Sequence, residues 1–545
     1  MAGATDTSST PAERQPHGNP NEAIWKPKFN PWLIALTVTL ASFMEVLDTS
    51  IANVALPHIA GGLSASEDEA TWVLTSYLVS NAIILPLSGW FSLLMGRKRF
   101  YMACVLLFTI SSFLCGIAPT LGMLVLFRII QGIGGGGLQP SEQVILADTF
   151  SPSQRGMAFA IYGIAVVTAP AIGPTLGGWI TDNFTWRWIF FINIPVGMLS
   201  LFLTSFMLED PPYLTKERMQ RLKQKVNIDY WGIIFIALGL GFLQIVLDKG
   251  ERDDWWSSDF IRVCTIISVA SCIAAIVWEF RVKDPVVDLS LLKDRNFGIA
   301  AFLMFNVGVV LLGSTVLLPQ FLQLVMGYSA TDAGLAISPG GVLIMLMLPF
   351  VGLLLSKVEA RWMIGIGLAI TSAALLHMTT FSTDMDYKYA AIARCYQAAG
   401  LAFLFVPINT AAYAFVPRNK NNAASGLVNL ARNVGGSVGI SLVTTILSRR
   451  QQFHQTRLTE NLDRLNPYFN SAVNSAAGAL GAGHGASAAN PPAAAYGLVL
   501  QNLSRQAAVL SYIDCFWLLG VVFGAMIPLV FFMKKVKPGK AAAAH

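Results

Sequence analysis

The feature that constrains this chain most is a series of apolar runs, each about 20 residues long, which recur along almost its whole length. A helix of about 20 apolar residues is just long enough to cross the roughly 30 Å hydrocarbon layer of a bilayer. The chain is therefore expected to be an all-α polytopic membrane protein. We predict 14 membrane-spanning helices, at 32–56, 71–94, 100–117, 122–146, 157–180, 188–208, 230–247, 260–280, 298–325, 334–355, 362–382, 389–416, 424–447 and 508–533.

Composition supports the same fold class. Of the 545 residues, 54% are hydrophobic and only 12% are charged, whereas a soluble domain carries roughly 25% charged residues. The net charge of +6 is not gathered in one segment, so nucleic acid is not an expected partner. The six cysteines form no CxxC pair, and we therefore predict neither a metal site nor a disulfide framework. No cofactor is expected.

The Lys and Arg residues of the loops predict an orientation, because cytoplasmic loops are the basic ones. They place both termini in the cytoplasm. We divide the chain into a disordered tail, an N-terminal six-helix bundle, linkers with two inserted helices, a C-terminal six-helix bundle and a second tail. These units are 1–30, 31–208, 209–297, 298–533 and 534–545. The C-terminal bundle includes an outer segment, 449–506, whose polar first part could form a helical arm and whose Ala/Gly-rich remainder is expected to be flexible. It is either a passive linker or a docking element.

Two carboxylates, Glu45 and Asp48, interrupt the first apolar run. A carboxylate in hydrocarbon is costly unless it is neutralised, paired or in contact with water. A spacing of three places both groups on one helical face, where desolvation and mutual repulsion favour holding a proton. The pair is therefore a candidate for proton coupling. The alternative is a structural pair that a neighbouring arginine satisfies.

The fourth span contains a permanently charged residue, Arg128, which needs an internal partner such as Asp48 or carbonyl groups of the first helix. Residues 132–137 match GxGxxG, but no strand precedes them, so a dinucleotide site is rejected. Glu142 in the same span is equally compatible with a substrate or proton site and with a structural role. We assign five polar residues at membrane depth to substrate binding: Glu142, Gln139, Gln320, Gln323 and Asn306.

The fifth span carries a small residue at every fourth position, at Ala169, Gly173 and Gly177. Such a face lets another helix approach closely, and Pro170 and Pro174 should kink the helix. We therefore expect this helix to form a rocking interface between the two halves.

Several of these segments resemble a known family. The segments LDTSIANVALP (47–57), RIIQG (128–132) and APAIGPTLGG (169–178) resemble the signatures of 14-helix drug:proton antiporters of the major facilitator superfamily, the EmrB/QacA type. ARNVGGSVGISLVTT (431–445) is closer to EmrB. The resemblance covers nearly the whole chain and implies two six-helix bundles plus two extra helices, with Asp48 as the acidic signature residue and Arg128 in proton transfer.

The resemblance also implies partners and one departure. EmrB relatives imply a bacterial inner-membrane pump that passes substrate to a periplasmic adaptor and an outer-membrane channel. In the loop after the second span, the family has an acidic residue where this chain has Leu93, so we expect an altered charge relay at that gate. Its basic end persists in Arg97 and Lys98.

These observations together predict a proton-coupled antiporter that exports lipophilic small molecules by alternating access. The alternative on the same fold is a dedicated exporter of a single metabolite or siderophore. A membrane sensor or scaffold that transports nothing is a further possibility, against which the buried carboxylates argue. An enzyme is not expected, because no HExxH, Walker A or GxSxG motif is present.

Overall fold

A computed structural model describes residues 27–151, 153–212, 214–215, 218–219, 229–282, 285–417, 420–460, 462, 466–481 and 493–535. The expected terminal tails therefore lie mostly outside the described residues. The same holds for much of the linker between the sixth and seventh spans and for 482–492.

The first six spanning helices form the N bundle, and each long apolar run of the sequence has become one helix. They are α1 (Pro31–Val54), α2 (Trp72–Met95), α3 (Arg97–Ile117), α4 (Leu121–Thr149, interrupted after Gly135), α5 (Arg155–Asn183) and α6 (Trp188–Met207, interrupted after Phe191).

Two inserted helices follow, α7 (Tyr230–Lys249) and α8 (Asp259–Glu279). The C bundle comprises α9 to α13 and α15, while α14 lies outside it. Their bounds are α9 (Arg295–Gln320), α10 (Ala330–Leu354), α11 (Ala360–His377), α12 (Tyr387–Tyr413), α13 (Asn421–Thr459), α14 (Pro467–Gly481) and α15 (Ala493–Phe531).

The count of spans agrees with the sequence prediction. Among the described residues, 13 helices are long and apolar enough to cross a membrane, and α5 is a further span bent by 44° between Pro170 and Ile172. Prolines inside a helix remove a backbone donor and clash with the preceding turn, so the bend lies where the sequence predicted it. The predicted set of 14 spans is confirmed.

The two bundles meet closely at one end, which we call the basic end because Arg97, Arg155 and Arg361 begin helices at or next to it. There Gly156 of α5 faces Gly352 of α10, and a Cβ on Gly156 would lie 2.9 Å from the Gly352 carbonyl oxygen. Likewise, a Cβ on Gly89 of α2 would lie 3.0 Å from the backbone of Asn422. Larger side chains would force the bundles apart at these points.

The inserted helix α7 packs against both bundles. Gly241 contacts Ile83 of α2, and Lys249 Nζ donates to the Thr71 hydroxyl at 2.6 Å. On the other side, the Ser437 hydroxyl of α13 donates to Gln244 Oε1 at 2.9 Å. The inserted pair is thus an integral part of the helix assembly rather than a separate unit.

The described part of the outer segment is more helical than the sequence suggested. α13 continues without a break to Thr459, so the helical arm expected for its first part is confirmed. The Ala/Gly-rich remainder was expected to be flexible, but much of it forms α14 and the first turns of α15. Val473 and Ala477 of α14 pack against Ala495 of α15. Alanine has the highest helix propensity, which explains why this stretch is helical.

Candidate functional site

The Glu45 side chain lies at the centre of a polar cluster inside the N bundle and is 4% exposed. Its Oε1 accepts from the Tyr77 hydroxyl at 3.0 Å and from Asn81 Nδ2 at 3.3 Å. Its Oε2 accepts from Gln139 Nε2 at 2.5 Å. Each of these contacts has Glu45 as the acceptor, so the surroundings fit an ionised carboxylate.

Asp48 lies one turn further along α1 in a different environment. Its Oδ2 accepts from Arg128 Nη1 at 2.6 Å, which is the partner that the sequence predicted for this arginine. Its Oδ1 accepts from Gln131 Nε2 at 3.1 Å and from Asn193 Nδ2 at 2.7 Å. The Arg128 side chain is fully buried and lies 4.3 Å from the centre of the Tyr77 ring.

The structure therefore corrects the expectation that Glu45 and Asp48 act as a pair of like charges. Asp48 forms an ion pair with Arg128, whereas Glu45 is held by neutral donors. A spacing of three residues puts two side chains on the same side of a helix, but α2, α4 and α6 supply different partners to each. Of the two, Glu45 is the carboxylate without a directly bound cation among the described residues.

Gln139 connects Glu45 to the C bundle. Its Oε1 accepts from Arg432 Nη2 of α13 and from the Tyr162 hydroxyl of α5, the latter at 3.2 Å. Arg432 Nη1 also donates to the Tyr162 hydroxyl at 3.0 Å. A continuous hydrogen-bonded chain thus runs from Glu45 on α1 through Gln139 on α4 to an arginine of the other bundle.

A second polar contact between the bundles lies one turn closer to the basic end. Gln143 Oε1 accepts from Asn429 Nδ2 at 2.8 Å, from the Tyr413 hydroxyl at 3.1 Å and from the Ser425 hydroxyl at 3.2 Å. All four side chains are buried. Together with the chain through Gln139, this layer closes the centre of the molecule toward the basic end.

The other residues assigned to substrate binding are not part of this cluster. Glu142 is fully buried and accepts from the Thr39 hydroxyl at 2.5 Å, while its second oxygen has no partner among the described residues. Asn306 donates to the Phe302 carbonyl of its own helix at 2.8 Å. Gln320, the last residue of α9, is half-buried, and Gln323, just beyond the helix, is exposed; both lie several helical turns from Asn306. Of the five residues, only Gln139 is hydrogen-bonded to Glu45.

The small-residue face of α5 packs inside the N bundle and not between the halves. A Cβ on Gly173 would meet Ser50 Oγ of α1 at 2.3 Å, and one on Gly177 would meet Ile51 of α1 at 3.1 Å. Ala169 is buried in the same cluster as Ile51, and the Pro170 carbonyl accepts from Ser50 Oγ at 3.3 Å. Pro174 is exposed and lies on the part of α5 beyond the bend. Other glycines of α5, Gly156 and Gly163, face the C bundle. The role of α5 as a rocking interface stays a prediction, and the small residues at 169, 173 and 177 are not the part of the helix that contacts the other half.

At the basic end, the loop after α2 has Leu93 where the family has an acidic residue, but Arg97 finds an acidic partner elsewhere. Arg97 forms a buried ion pair with Asp148 at the end of α4, and its Nε donates to Asn422 Oδ1 of α13 at 3.1 Å. Lys98 donates through its backbone N–H to Asp210 at 2.9 Å and through Nζ to the Ser205 carbonyl at 2.6 Å. Gly96, the single residue between α2 and α3, has a φ of 86°, a backbone conformation that favours glycine. Arg97 therefore joins the two bundles without an acidic residue at position 93.

Sequence reasoning missed several partners, namely Tyr77, Asn81, Gln131, Tyr162 and Asn193. Their residue types are common in helices, and only the fold brings them to the carboxylates. One signal was available, however: the spacing Arg-x-x-Gln occurs at 128–131 and again at 394–397. Arg394 Nη1 donates to Gln397 Oε1 at 2.6 Å, as Arg128 Nη1 donates to Gln131 Oε1 at 2.8 Å.

Comparison with known proteins agrees with this geometry. Residues 38–440 match the model of the Major Facilitator Superfamily. The chain is 36% identical over 503 residues to the multidrug export protein EmrB of Escherichia coli K12, covering 92% of this chain and 95% of that protein. It is also 36% identical over 501 residues to the fatty acid resistance protein FarB of Neisseria gonorrhoeae, covering 92% and 96%.

Among solved structures, the proton:xylose symporter XylE shares the fold, with a TM-score of 0.59, 16% identity and coverage of 94% of this chain and 97% of XylE. The match to the family model extends over most of the chain, and the relatives span almost its whole length. These findings confirm the predicted resemblance and the predicted fold. The chain therefore belongs to the Major Facilitator Superfamily, in the group that includes EmrB, and it is a membrane transporter rather than an enzyme.

Proposed function

We propose that this protein is a proton-coupled antiporter that exports lipophilic small molecules by alternating access, without a bound cofactor. The names of its relatives support efflux: EmrB is a multidrug export protein and FarB a fatty acid resistance protein. The observation that carries proton coupling is the chain of hydrogen bonds from Glu45 through Gln139 to Arg432.

The orientation of the Gln139 amide follows from the chemistry of its neighbours. A guanidinium group has only donors, so the atom of Gln139 that faces Arg432 must be its oxygen. The amide nitrogen then faces Glu45 and requires an acceptor, which an ionised carboxylate supplies. When Glu45 Oε2 binds a proton, it becomes a hydrogen-bond donor. Its O–H then points at the N–H of Gln139, so two donors face each other and the hydrogen bond is lost. Rotation of the amide by 180° satisfies Glu45 but turns the nitrogen toward Arg432 and removes the bond between the bundles.

The free energy of the hydrogen bond to Arg432 and the free energy that one transported proton supplies are of similar size. A hydrogen bond to a charged group contributes roughly 1.5–3 kcal/mol. A proton that crosses 100 mV supplies roughly 2.3 kcal/mol, and one unit of pH gradient adds roughly 1.4 kcal/mol. One proton at Glu45 is therefore sufficient to release the link to Arg432. Loss of this link, together with opening of the gate at Arg97, lets the basic end of the bundles separate.

In this mechanism Asp48 has a supporting role. Its ion pair with Arg128 fixes α1 against α4, one turn from Glu45, and its charge is already balanced. Glu45 carries the transported proton, and Asp48 and Arg128 hold its helix in register. This assignment differs from the family resemblance, which pointed to Asp48 first.

We propose that the basic end faces the cytoplasm of a bacterium and that the protein lies in the inner membrane with both termini inside. Cytoplasmic loops are enriched in Lys and Arg, and Arg97, Lys98, Arg155 and Arg361 are at or beside helix starts at this end. The bundles are then closed toward the cytoplasm in the structure described.

The opposite end carries an arm formed by the end of α13, by α14 and by the beginning of α15. We propose that this arm docks a periplasmic adaptor which leads to an outer-membrane channel. α13 has 39 residues, or about 58 Å at 1.5 Å per residue, which is longer than a bilayer core requires. Aromatic side chains on the arm are exposed, including Phe453 and Tyr468. Exchange of both for serine should abolish co-purification of the adaptor from Gram-negative cells while transport in liposomes continues; co-purification at the wild-type level would contradict docking.

Proton coupling is tested with purified protein in proteoliposomes under an imposed pH gradient, with ethidium as the transported probe. The variant Glu45→Gln should lose pH-driven ethidium transport, because an amide cannot exchange a proton. The matched control is Glu279→Gln in α8, which removes another buried carboxylate that accepts from the Val287 N–H at 3.3 Å. The control should transport at the wild-type rate. Undiminished pH-driven transport by Glu45→Gln would refute proton coupling through this residue.

A further inference from the structure

The C bundle contains a buried arginine in the position that Arg128 has in the N bundle. α4 and α12 are each the fourth helix of their bundle. Arg128 lies seven residues after Leu121, where α4 begins, and Arg394 lies seven residues after Tyr387, where α12 begins. In both helices a glutamine follows three residues later and accepts from the arginine. The two repeats therefore build the same pair of side chains.

The difference lies in what the first helix of each bundle supplies. In the N bundle, α1 supplies Asp48, whose carboxylate accepts from both Arg128 and Gln131. In the C bundle, α9 supplies the hydroxyl of Ser314, which accepts from Arg394 Nη1 at 3.2 Å, and Thr315 Oγ1 lies 3.5 Å from Nη2. The carboxylate is absent, and a hydroxyl group stands near its place.

Two donors are consequently left without an anion. Arg394 is 7% exposed, and no carboxylate lies within ion-pairing distance of it among the described residues. The Gln397 side chain is fully buried, and its Nε2 has no hydrogen-bond partner in the described part of the chain. In the N bundle the equivalent nitrogen of Gln131 donates to Asp48. Both unmatched groups are the ones that Asp48 satisfies in the other repeat.

No helix of the C bundle offers Arg394 an unbound carboxylate among the described residues. The sequences of α9, α11, α12 and α13 contain no Asp or Glu. Asp332 lies in the first turn of α10 and binds Ser329, and Asp514 of α15 is bound by Arg450 and His454. A buried cation without a counter-ion is strongly disfavoured, so an anion from outside the protein would be stabilised here.

We propose that Arg394, Gln397 and Ser314 form a binding site for the carboxylate of an amphiphilic anionic substrate. The inference rests on the proposed function and names a substrate class for it. Arginine and an amide nitrogen present parallel donors that match the two oxygens of a carboxylate, as Arg128 and Gln131 do for Asp48. The surrounding helices are apolar, so an aliphatic chain attached to the carboxylate would be buried with it.

Equilibrium binding of radiolabelled dodecanoate to the purified full-length protein in nanodiscs tests the site without any proton gradient. Arg394→Gln should weaken dodecanoate binding at least tenfold, because the charge is lost. Arg450→Gln, which removes another arginine of the C bundle, should leave the affinity unchanged. Ser314→Asp should also abolish dodecanoate binding, because the new carboxylate occupies the donors. Its melting temperature should equal or exceed that of the wild type, which separates site occupation from misfolding.

Three outcomes would overturn the proposal. Dodecanoate affinity that is unchanged in both Arg394→Gln and Ser314→Asp would place the ligand elsewhere. An equal loss of affinity for dodecylamine, a cation with the same chain, would show that the variants disturb the apolar path and not an anion site. Stabilisation of the wild type by chloride, without dodecanoate binding, would identify a small-anion site instead. Ethidium transport under a pH gradient, measured separately, tests the proposed antiport itself, so the two ideas can fail independently.

Discussion

The N bundle and the C bundle each bury an arginine on their fourth helix, but they balance its charge differently. Arg128 shares the Asp48 carboxylate with Gln131 and Asn193, so the arginine has its counter-ion inside its own bundle. Arg394 meets only Ser314, Thr315 and Gln397. A closed ion pair holds helices together, whereas an open set of donors is available to a ligand. Two repeats with one scaffold can thus differ in task through one side chain of the first helix.

The largest expected difference concerns the two arginines themselves. Arg128→Met should destabilise the protein by about 3–5 kcal/mol, because it leaves the Asp48 carboxylate buried without its cation. Arg394→Met should change stability by less than about 1 kcal/mol or increase it, because no carboxylate is left behind. Chemical unfolding of the two purified variants measures this contrast. Equal destabilisation would show that the two sites are electrostatically alike.

A second contrast concerns the basic turns that follow the second helix of each bundle. Arg97 is buried and binds Asp148 and Asn422, while Arg361 is partly exposed and binds Glu359 two residues away. Arg97→Gln should lower stability by about 1.5–3 kcal/mol, the value of charged hydrogen bonds. Arg361→Gln should lower it by less than about 1 kcal/mol, as for exposed ion pairs. Thermal unfolding in one detergent compares them, and the reverse ranking would contradict the role of Arg97 in joining the bundles.

The variant Ser314→Asp makes the C bundle resemble the N bundle. We expect it to increase stability by about 1–2 kcal/mol, since the charged hydrogen bonds to Arg394 and Gln397 outweigh the desolvation of the new carboxylate. Ser314→Asn, which has the same shape without the charge, is the control and should give no comparable gain. Unfolding curves of both variants provide the measurement. A loss of stability in Ser314→Asp would mean that the space beside Arg394 is closed to a carboxylate.

The smallest effect on stability is expected when a carboxylate outside the membrane-spanning segments, Asp288, is protonated. Burial alone would raise the pKa of Asp288, but hydrogen bonds from Lys420 Nζ and Ser290 outweigh it, so the pKa is lowered. A group with a depressed folded-state pKa stabilises the protein above its unfolded pKa of about 3.9 and loses this contribution as the pH falls. The Asp288→Asn variant should therefore differ from the wild type by less than about 1 kcal/mol at pH 7, and the difference should shrink as the pH falls through the lowered folded-state pKa of Asp288. Unfolding as a function of pH checks this, and a difference that grows on acidification would contradict the assignment.

Part of the candidate site could be predicted from the sequence, and part could not. A charged residue inside an apolar run is visible without any structure, and the cost of burying it makes Glu45, Asp48 and Arg128 conspicuous. Their pairing was not visible. Nothing in the spacing of Glu45 and Asp48 indicates that α4 and α6 approach one carboxylate while α2 and Gln139 approach the other.

The same limit applies to helix faces. The glycines of α5 predicted close packing, but two sets of them face opposite directions. Gly173 and Gly177 contact α1, whereas Gly156 and Gly163 contact the C bundle. A small side chain permits close approach of another helix, but it does not indicate which helix that will be. The Ala/Gly-rich outer segment shows the reverse error, because low complexity suggested flexibility where helix propensity and packing of Val473 on α15 produced a helix.

The sequence by itself determined the number of spans, the all-α class and the presence of buried charges. These follow from the transfer of each side chain and each backbone segment between water and lipid, which depends on local composition alone. The tertiary structure decided which carboxylate is neutralised by Arg128, which one is linked through Gln139 to the other bundle, and that Arg394 has no carboxylate partner among the described residues. Such pairings depend on contacts over a few ångströms between residues far apart in the chain, and these exist only once the helices have packed.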